Sequence, residues 1–333
     1  MTEPAFVDVL RAARNIGGLV TRTPLLPSAV PAASEILLKP EYLQPSGAFK
    51  LRGATNALAC LDEDARRRGV ACCSTGNHGR AVAYAARRLG IGATVCLSEL
   101  VPANKVRAVE ALGAEVRRIG ESQDEAQREV NRMVEHEGVT DIPPFDHPDV
   151  IAGQGTIGLE ILAERPDVAC IVIPLSGGGL AAGVALAAKT INPRIRIVGI
   201  SMSRGAAMAT SLDAGRPVDV TEVPTLADSL GGGIGLANRY TFELCRRHVD
   251  EVILLDEDEI YAGMRSLYFT DRIVAEGASA VAHGALAAGK LVLDGPTVFI
   301  ISGNNVDMET FTRIVNNAPV EVGELTVGGK QVA

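Results

Sequence analysis

The sequence predicts an α/β fold built as two open parallel-sheet lobes, and three observations carry that prediction. Short apolar runs alternate with alanine-rich helical stretches along most of the 333 residues. The runs at 169–174 and 298–301 are near-continuously apolar, as strands buried on both faces of a parallel sheet must be. The alternation falls into two blocks, with Pro143, Pro144 and Pro148 at the crossing point.

Phe6, Val9, Leu10, Ala13 and Ile16 recur at helical spacing and stop at Gly17-Gly18. Thr23 is held extended by Pro24. A short strand at 35–39 precedes a helix that runs to about Leu61. The first block then predicts strands at 70–74, 93–97 and 115–119, each followed by a helix, at 78–89, 104–112 and 124–136. The second block has a helix at 155–163, a strand at 169–174, a helix at 179–190 and a strand at 195–200. A strand at 252–255, helices at 256–272 and 278–288, and a final strand at 298–301 complete it. These blocks predict a small domain, 66–147, inserted in a larger one formed by 1–65 and 148–333.

Composition narrows the function. The net charge is −8, from 32 basic and 40 acidic residues, and no basic stripe points to nucleic acid. The chain shows no signal-like N-terminus and no apolar run of bilayer length, so the expectation is a cytoplasmic protein acting on a small molecule. The six cysteines form no CxxC pair and the five histidines no ligand-spaced cluster, which predicts reduced thiols and no metal site.

In open α/β lobes, ligands sit beyond the C-terminal ends of the strands. Three small, polar segments lie there: Ser74-Thr75-Gly76-Asn77-His78, Ser176-Gly177-Gly178-Gly179 and Ser302-Gly303-Asn304-Asn305. They should meet in one cleft. The glycines at 177–179, followed by Leu180 at a helix start, leave backbone N–H groups free to hold a phosphate. Gly177, Gly179 and Ala182 also match a dinucleotide fingerprint. No acid stands between Thr190 and Leu212 to take the ribose, however, so a nicotinamide cofactor is disfavoured. A second glycine cluster, 231–235, has no strand before it and reads as a loop near the cleft. His78 has no acid partner in sequence to make it a general base.

Lys50 follows Ser46-Gly47-Ala48-Phe49 directly, at the end of a turn and the start of a helix. By itself it is better explained by an ordinary surface lysine beside a loop than by a Schiff-base former. The phosphate cup, the donor Asn77, and Ser302 as a partner for a ring nitrogen change that balance. One cofactor asks for all four, pyridoxal phosphate.

On SGAFKLRGA, STGNHGRA, IAGQGTIGLEI, PLSGGGLAAG and ISGNNVD, which span Thr23 to about Val306, the chain resembles the fold-type II pyridoxal-phosphate enzymes of tryptophan synthase β-like architecture. More narrowly, it is similar to the threonine/serine dehydratase and serine racemase family. The resemblance implies Lys50 as the Schiff-base lysine and Phe49 beside the pyridine ring. It implies Asn77 on the ring hydroxyl, Gly177, Gly178, Gly179 and Leu180 on the phosphate, and Ser302 on the pyridine nitrogen. Ser74, Thr75, Gly76 and His78 would receive the substrate carboxylate, with Thr75 also where racemases keep an acid/base hydroxyl. Ser201 stands where metal-dependent members have a carboxylate, and Gln123 where some racemases have arginine. A homodimer without a feedback domain is expected.

The passages LSELVPANKVRAVEALGAEV, PPFDHPDVIAGQGT, GISMSRGAAM and ADSLGGGIGLANRYTF most resemble hydroxyectoine-utilisation dehydratases. The activity so implied is elimination of water from a β-hydroxy amino acid. The alternatives are a general L-threonine/L-serine dehydratase, a serine or hydroxyaspartate racemase, and a non-catalytic binding protein.

Overall fold

The computed structural model describes residues 2–74, 76–101 and 103–329. α1 (Phe6–Asn15) leads to the two-residue strand β1 (Leu26–Pro27) and to β2 (Ile36–Pro40), every residue of which is buried. The lysine turn opens α2 (Lys50–Ala59), and a short α3 (Glu63–Arg68) follows. Next come β3 (Val70–Cys73), α4 (Asn77–Leu89), β4 (Ala93–Leu97), α5 (Ala103–Glu110), β5 (Glu115–Arg118), α6 (Gln123–Glu137) and β6 (Thr140–Asp141). Their strands pair in parallel in the order β5-β4-β3-β6.

The chain continues through α7 (Pro148–Glu164), β7 (Cys170–Pro174), α8 (Gly179–Ile191), β8 (Arg196–Met202), α9 (Ala207–Ala214) and α10 (Thr241–His248). β9 (Glu251–Leu255), α11 (Glu257–Asp271), α12 (Gly277–Ala287) and β10 (Thr297–Ile301) follow. These strands join the first two in a six-stranded sheet, β1-β2-β10-β7-β8-β9, parallel except for β1. α13 (Met308–Val315) and the hairpin β11 (Val320–Val322) and β12 (Leu325–Val327) close the described chain.

The α/β class and both parallel sheets are as the sequence predicts. The elements it does not show are the short or polar ones. β1 and β6 have two residues each, too few for a period. The strand at 298–301 is not the last, because the hairpin follows it. α7 starts at Pro148 rather than 155: proline suits a first helical position, and the His147 ring accepts from the Asp149 N–H at 3.2 Å. The clearest helix signals are local. α6 carries a Ser122/Glu125 capping box and ends on left-handed Gly138, and α11 opens on an Asp256/Glu259 box.

The apolar strands alternate faces within their continuous runs. Leu37, Ile171, Ile173, Val298 and Ile300 pack with Ile157 of α7 and Val184 of α8. Leu38, Val172, Val198, Phe299 and Ile301 pack on the other face with Ile260 of α11 and Val281 of α12. α2 belongs to a third cluster, in which Leu51, Ala54 and Leu58 meet Val70, Val82 and Val95 around the smaller sheet. The helix that begins with Lys50 thus links both sheets.

The other face of α2 carries a buried ion network. Arg52, wholly buried, donates Nε to Glu41 Oε2 at 2.7 Å and Nη2 to Glu41 Oε1 at 2.8 Å. It also donates Nη1 and Nη2 to the two carboxylate oxygens of Glu160, at 2.7 and 2.8 Å. Lys39, from the middle of β2, donates to Glu160 Oε2 and to the Thr23 carbonyl, both at 2.6 Å. Two cations and two anions cancel, and the forked guanidinium makes the bidentate pairing possible. This network fixes the first turn of α2, two residues past Lys50.

Candidate active site

The turn before Lys50 is sewn to the end of β10. Phe49 N–H donates to the Ser302 carbonyl at 2.9 Å, and Asn304 N–H to the Gly47 carbonyl at 3.0 Å. Ala48 and Gly303 form an antiparallel bridge. The Lys50 side chain turns inward and donates Nζ to the Pro144 carbonyl at 2.7 Å, with the Phe49 ring centroid 5.4 Å away. Burial of the amine lowers its pKa to about 8, against the partial opposition of the Glu276 carboxylate.

The glycine segment lies next to the same stretch of chain. Gly178, at φ +87°, is the N-cap of α8, so the first N–H groups of that helix carry no side-chain cap. A Cβ at Gly177 would fall 2.4 Å from Cδ1 of the Phe145 ring, and one at Gly179 2.9 Å from Phe145 Cβ. Pro144 touches the lysine and Phe145 the glycines, so two adjacent residues span both features. Leu180 is buried in the core on the α8 side.

Asn77 opens α4 at the end of β3. It donates Nδ2 to both oxygens of Glu276, each at 3.0 Å, and its Oδ1 accepts from Asn305 Nδ2 at 2.6 Å. Ser302 Oγ lies 3.0 Å from Ser279 Oγ, both side chains buried. Ser74 Oγ accepts from the Gly76 N–H at 3.3 Å. Thr75 lies outside the described residues. Two of the three polar strand ends therefore touch directly, through Asn305–Asn77, and the glycine segment is reached through Phe145, whose neighbour Pro144 accepts from Lys50. Among the described residues no group of three or more His, Cys, Asp or Glu side chains could hold a metal.

His78 is placed differently from a residue open to substrate. Its ring is buried, with Nε2 2.7 Å from the Ile142 carbonyl. Burial first, and Lys50 second, bring its pKa down to about 3. It is therefore neutral, and as the neutral ring it donates Nε2–H to Ile142. In the unfolded chain the same ring takes a proton near 6.5, which the native state refuses until about 3. Stability is thus fully present above 6.5 and is lost as pH falls through that window. We expect wild type to lose about 2 kcal/mol more than His78→Asn between pH 7 and pH 5, read from urea unfolding at each pH.

Glu276 is the residue that sequence reasoning missed. It caps α12, is 3% exposed, and takes a further hydrogen bond from Ser229 Oγ at 3.1 Å. Burial raises its pKa to about 7, with Asn77 and Ser229 opposing. Its only sequence signal is an acid between two small residues, Ala275 and Gly277. Pro144, Phe145 and Asn305 were visible as letters, but their contacts depend on the sheets being assembled.

An amine of lowered pKa and an uncapped, side-chain-free helix start fit a phosphorylated aldehyde, and fold and site together define a pyridoxal-phosphate dependent enzyme. The chain belongs to that family: its model, described as pyridoxal-phosphate dependent enzyme, matches residues 16–303. The chain is 52% identical over 313 residues to a Sinorhizobium fredii protein named provisionally as a threonine dehydratase, covering 93% of this chain and 94% of that one. It is 41% identical over 320 residues to the L-threonine ammonia-lyase of Thermotoga maritima, covering 95% and 79%. Maize serine racemase superposes with a TM-score of 0.87 at 33% identity, covering 94% and 97%. The protein is a pyridoxal-phosphate dependent lyase of the threonine dehydratase-like group.

Proposed function

We propose that the protein removes water from a β-hydroxy amino acid and yields a 2-keto acid and ammonia. The observation that carries this is Lys50, an inward-facing amine of pKa about 8 that donates to the Pro144 carbonyl, next to the Phe145 ring that lies on the glycine segment. Pyridoxal phosphate, when bound, supplies an electron sink that acidifies the substrate Cα–H. Lys50 would hold it through Nζ, with the N–H groups of Gly177, Gly178, Gly179 and Leu180 on its phosphate. Phe49 would lie beside its ring, Asn77 at its hydroxyl and Ser302 at its nitrogen. Backbone N–H groups of Ser74, Thr75, Gly76 and His78 would orient the substrate carboxylate. With its Nζ free, Lys50 would take the Cα proton as general base and pass a proton to the departing β-hydroxyl, which would leave as water. The enamine released tautomerises to an imine, and water hydrolyses that to keto acid and ammonia.

The finer reading is a hydroxyectoine-utilisation dehydratase, whose substrate would be a hydroxylated diamino acid. What supports it is the wall of the adjoining cleft, about 560 Å³ in volume. It is lined by Glu222, Asp228, Glu276, Asp307 and Glu321 and by no described lysine or arginine. A second ammonium on the substrate would suit that field. We further propose 66–147 as a domain inserted in 1–65 and 148–333, a homodimer, and a cytoplasmic location.

Purified protein should be yellow, and borohydride should bleach the band. L-serine, L-threonine, 3-hydroxyaspartate and ring-opened hydroxyectoine should be screened for keto acid. Colourless protein that binds no pyridoxal phosphate would sink the proposal. Change of optical rotation without keto acid would replace it by racemisation.

The phosphate assignment has its own expectation. In Gly177→Ala the new methyl meets the Phe145 ring, which must shift across the glycine segment. Pyridoxal phosphate affinity of the cofactor-free protein should fall at least about tenfold, the loss of one or two well-placed hydrogen bonds. Fluorescence titration measures it, and far-ultraviolet circular dichroism should stay unchanged.

A further inference from the structure

Asn77 can donate to the ring oxygen, as a phenolate requires, only if its NH₂ faces inward, and an asparagine amide has two nearly isosteric orientations. What decides between them lies outside the residues assigned so far. Asn305 donates Nδ2 to Asn77 Oδ1 at 2.6 Å and to the Ser46 carbonyl at 3.0 Å. Its own Oδ1 accepts from Arg80 Nη1 at 2.6 Å. Turned over, the Asn305 oxygen would face the Ser46 and Asn77 oxygens, and its NH₂ would face a guanidinium that can only donate. Asn305 therefore has one satisfactory orientation. With a donor already at its oxygen, so does Asn77, whose Nδ2 goes to Glu276.

The elements support this placement. Arg80 lies one turn beyond Asn77 on α4, beside the smaller sheet, whereas Asn305 follows β10 of the larger one. Asn305 reaches Ser46 by crossing the turn before Lys50. There Gly47, at φ +79°, leaves the room: a Cβ on it would lie 2.9 Å from Asn305 Oδ1 and 3.0 Å from Nδ2. The segment that presents the lysine thus also seats the residue that aims Asn77.

We infer that Asn305, fixed by Arg80 and by the Ser46 carbonyl, is a positioning residue that sets the Asn77 amide with its NH₂ toward the cofactor ring. The inference rests on Asn77 as the partner of the ring hydroxyl.

Asn305→Asp tests it, because the change keeps the shape and the contact to Arg80 but puts an acceptor against Asn77 Oδ1 and the Ser46 carbonyl. That acceptor works against Glu276, which holds the Asn77 NH₂ at 3.0 Å from each of its oxygens, and so favours the turned-over amide. In the cofactor-free protein, pyridoxal phosphate affinity should fall roughly tenfold or more, the effect of one reversed hydrogen bond. The visible band of the reconstituted protein should shift, and the melting temperature of the cofactor-free protein should move little. Arg80→Leu should reproduce part of the loss and Arg80→Lys, which still donates, less of it.

The decisive measurement is the same Asn305→Asp change in an Asn77→Ala background. If Asn305 acts through Asn77, it adds nothing further to the loss of affinity. Additive losses, or an unchanged affinity and band in Asn305→Asp alone, overturn the inference. If Asn77→Ala by itself leaves affinity and band unchanged, the reading of Asn77 fails first. That result is distinct from a failure of Asn305. If Asn305→Asp does not fold, Asn305→Ala in the same cycle gives the same answer.

Discussion

Replacing Lys50 by alanine is expected to lower turnover by about a thousandfold or more and to remove the borohydride-sensitive band. Loss of a positioned general base alone accounts for about 10²–10⁴ in rate, and here the covalent anchor goes with it. The fold should survive, because among the described residues the side chain makes one hydrogen bond, to the Pro144 carbonyl, and its burial as a cation opposes folding. Removal of an amine whose pKa is held near 8 should leave the cofactor-free protein as stable as wild type at pH 7. Unchanged turnover in Lys50→Ala would remove the lysine from the chemistry and leave only the cofactor assignment. A compensating check is exogenous amine. A small primary amine should restore part of the lost rate by taking up the vacated proton-transfer role, while a tertiary amine of similar size restores less.

The largest effect on stability is expected two residues further on. Arg52→Leu removes the cation that serves the buried carboxylate of Glu41 and the partly buried one of Glu160, and leaves Glu41 with only Lys39 nearby and the Thr23 and Gln44 donors. Breaking a buried pair from one side costs about 3–5 kcal/mol, which for a chain of this size is a drop of about 4–7 °C in Tm. The pH dependence distinguishes this from a simple loss of packing. In wild type, burial pushes the Glu41 pKa up, but the Arg52 guanidinium and its hydrogen bonds overcome that and hold it below 4.5. The native state thus favours the ionised form, a contribution present above 4.5 and lost as pH falls through the folded value. Without Arg52, burial dominates and the protonated form is favoured, so the sign reverses. The deficit of Arg52→Leu should therefore narrow between pH 7 and pH 5. A deficit constant over that range would show that volume, not charge, is what Arg52 contributes.

Much of the fold was legible because parallel strands and amphipathic helices leave long periodic marks. The runs at 169–174 and 298–301 needed no tertiary information to be read as buried strands. β6, with two residues at Thr140–Asp141, and the hairpin after α13 left no such mark. For the site, the letters were informative wherever backbone geometry alone makes the chemistry. Glycines at a strand-to-helix turn announce an anion cup whatever surrounds them. Residues that act through side-chain partners were not legible in that way. His78 stands beside Asn77 in sequence, yet its ring turns to Ile142 and takes no visible part in the cleft. Glu276 stands 199 residues from Asn77 and accepts from it. A hydrogen bond across that separation is fixed by how two sheets pack, which no local pattern records.

The pairing of β2 with β10 has a consequence for how the protein is made. Ile36 and Thr297 are register partners at the centre of the larger sheet, with most of the chain between them. The smaller sheet draws all its strands from 70–141 and can form while the ribosome is still working. The larger sheet cannot: until residues near 300 emerge, β2 and β7 lack the strand that joins them. The turn that carries Lys50 waits as well, because its partners Ser302 to Asn305 are synthesised about 250 residues after it. The lysine is made early and finds its place late, so a nascent chain stalled short of β10 holds a formed small sheet and no seat for the cofactor.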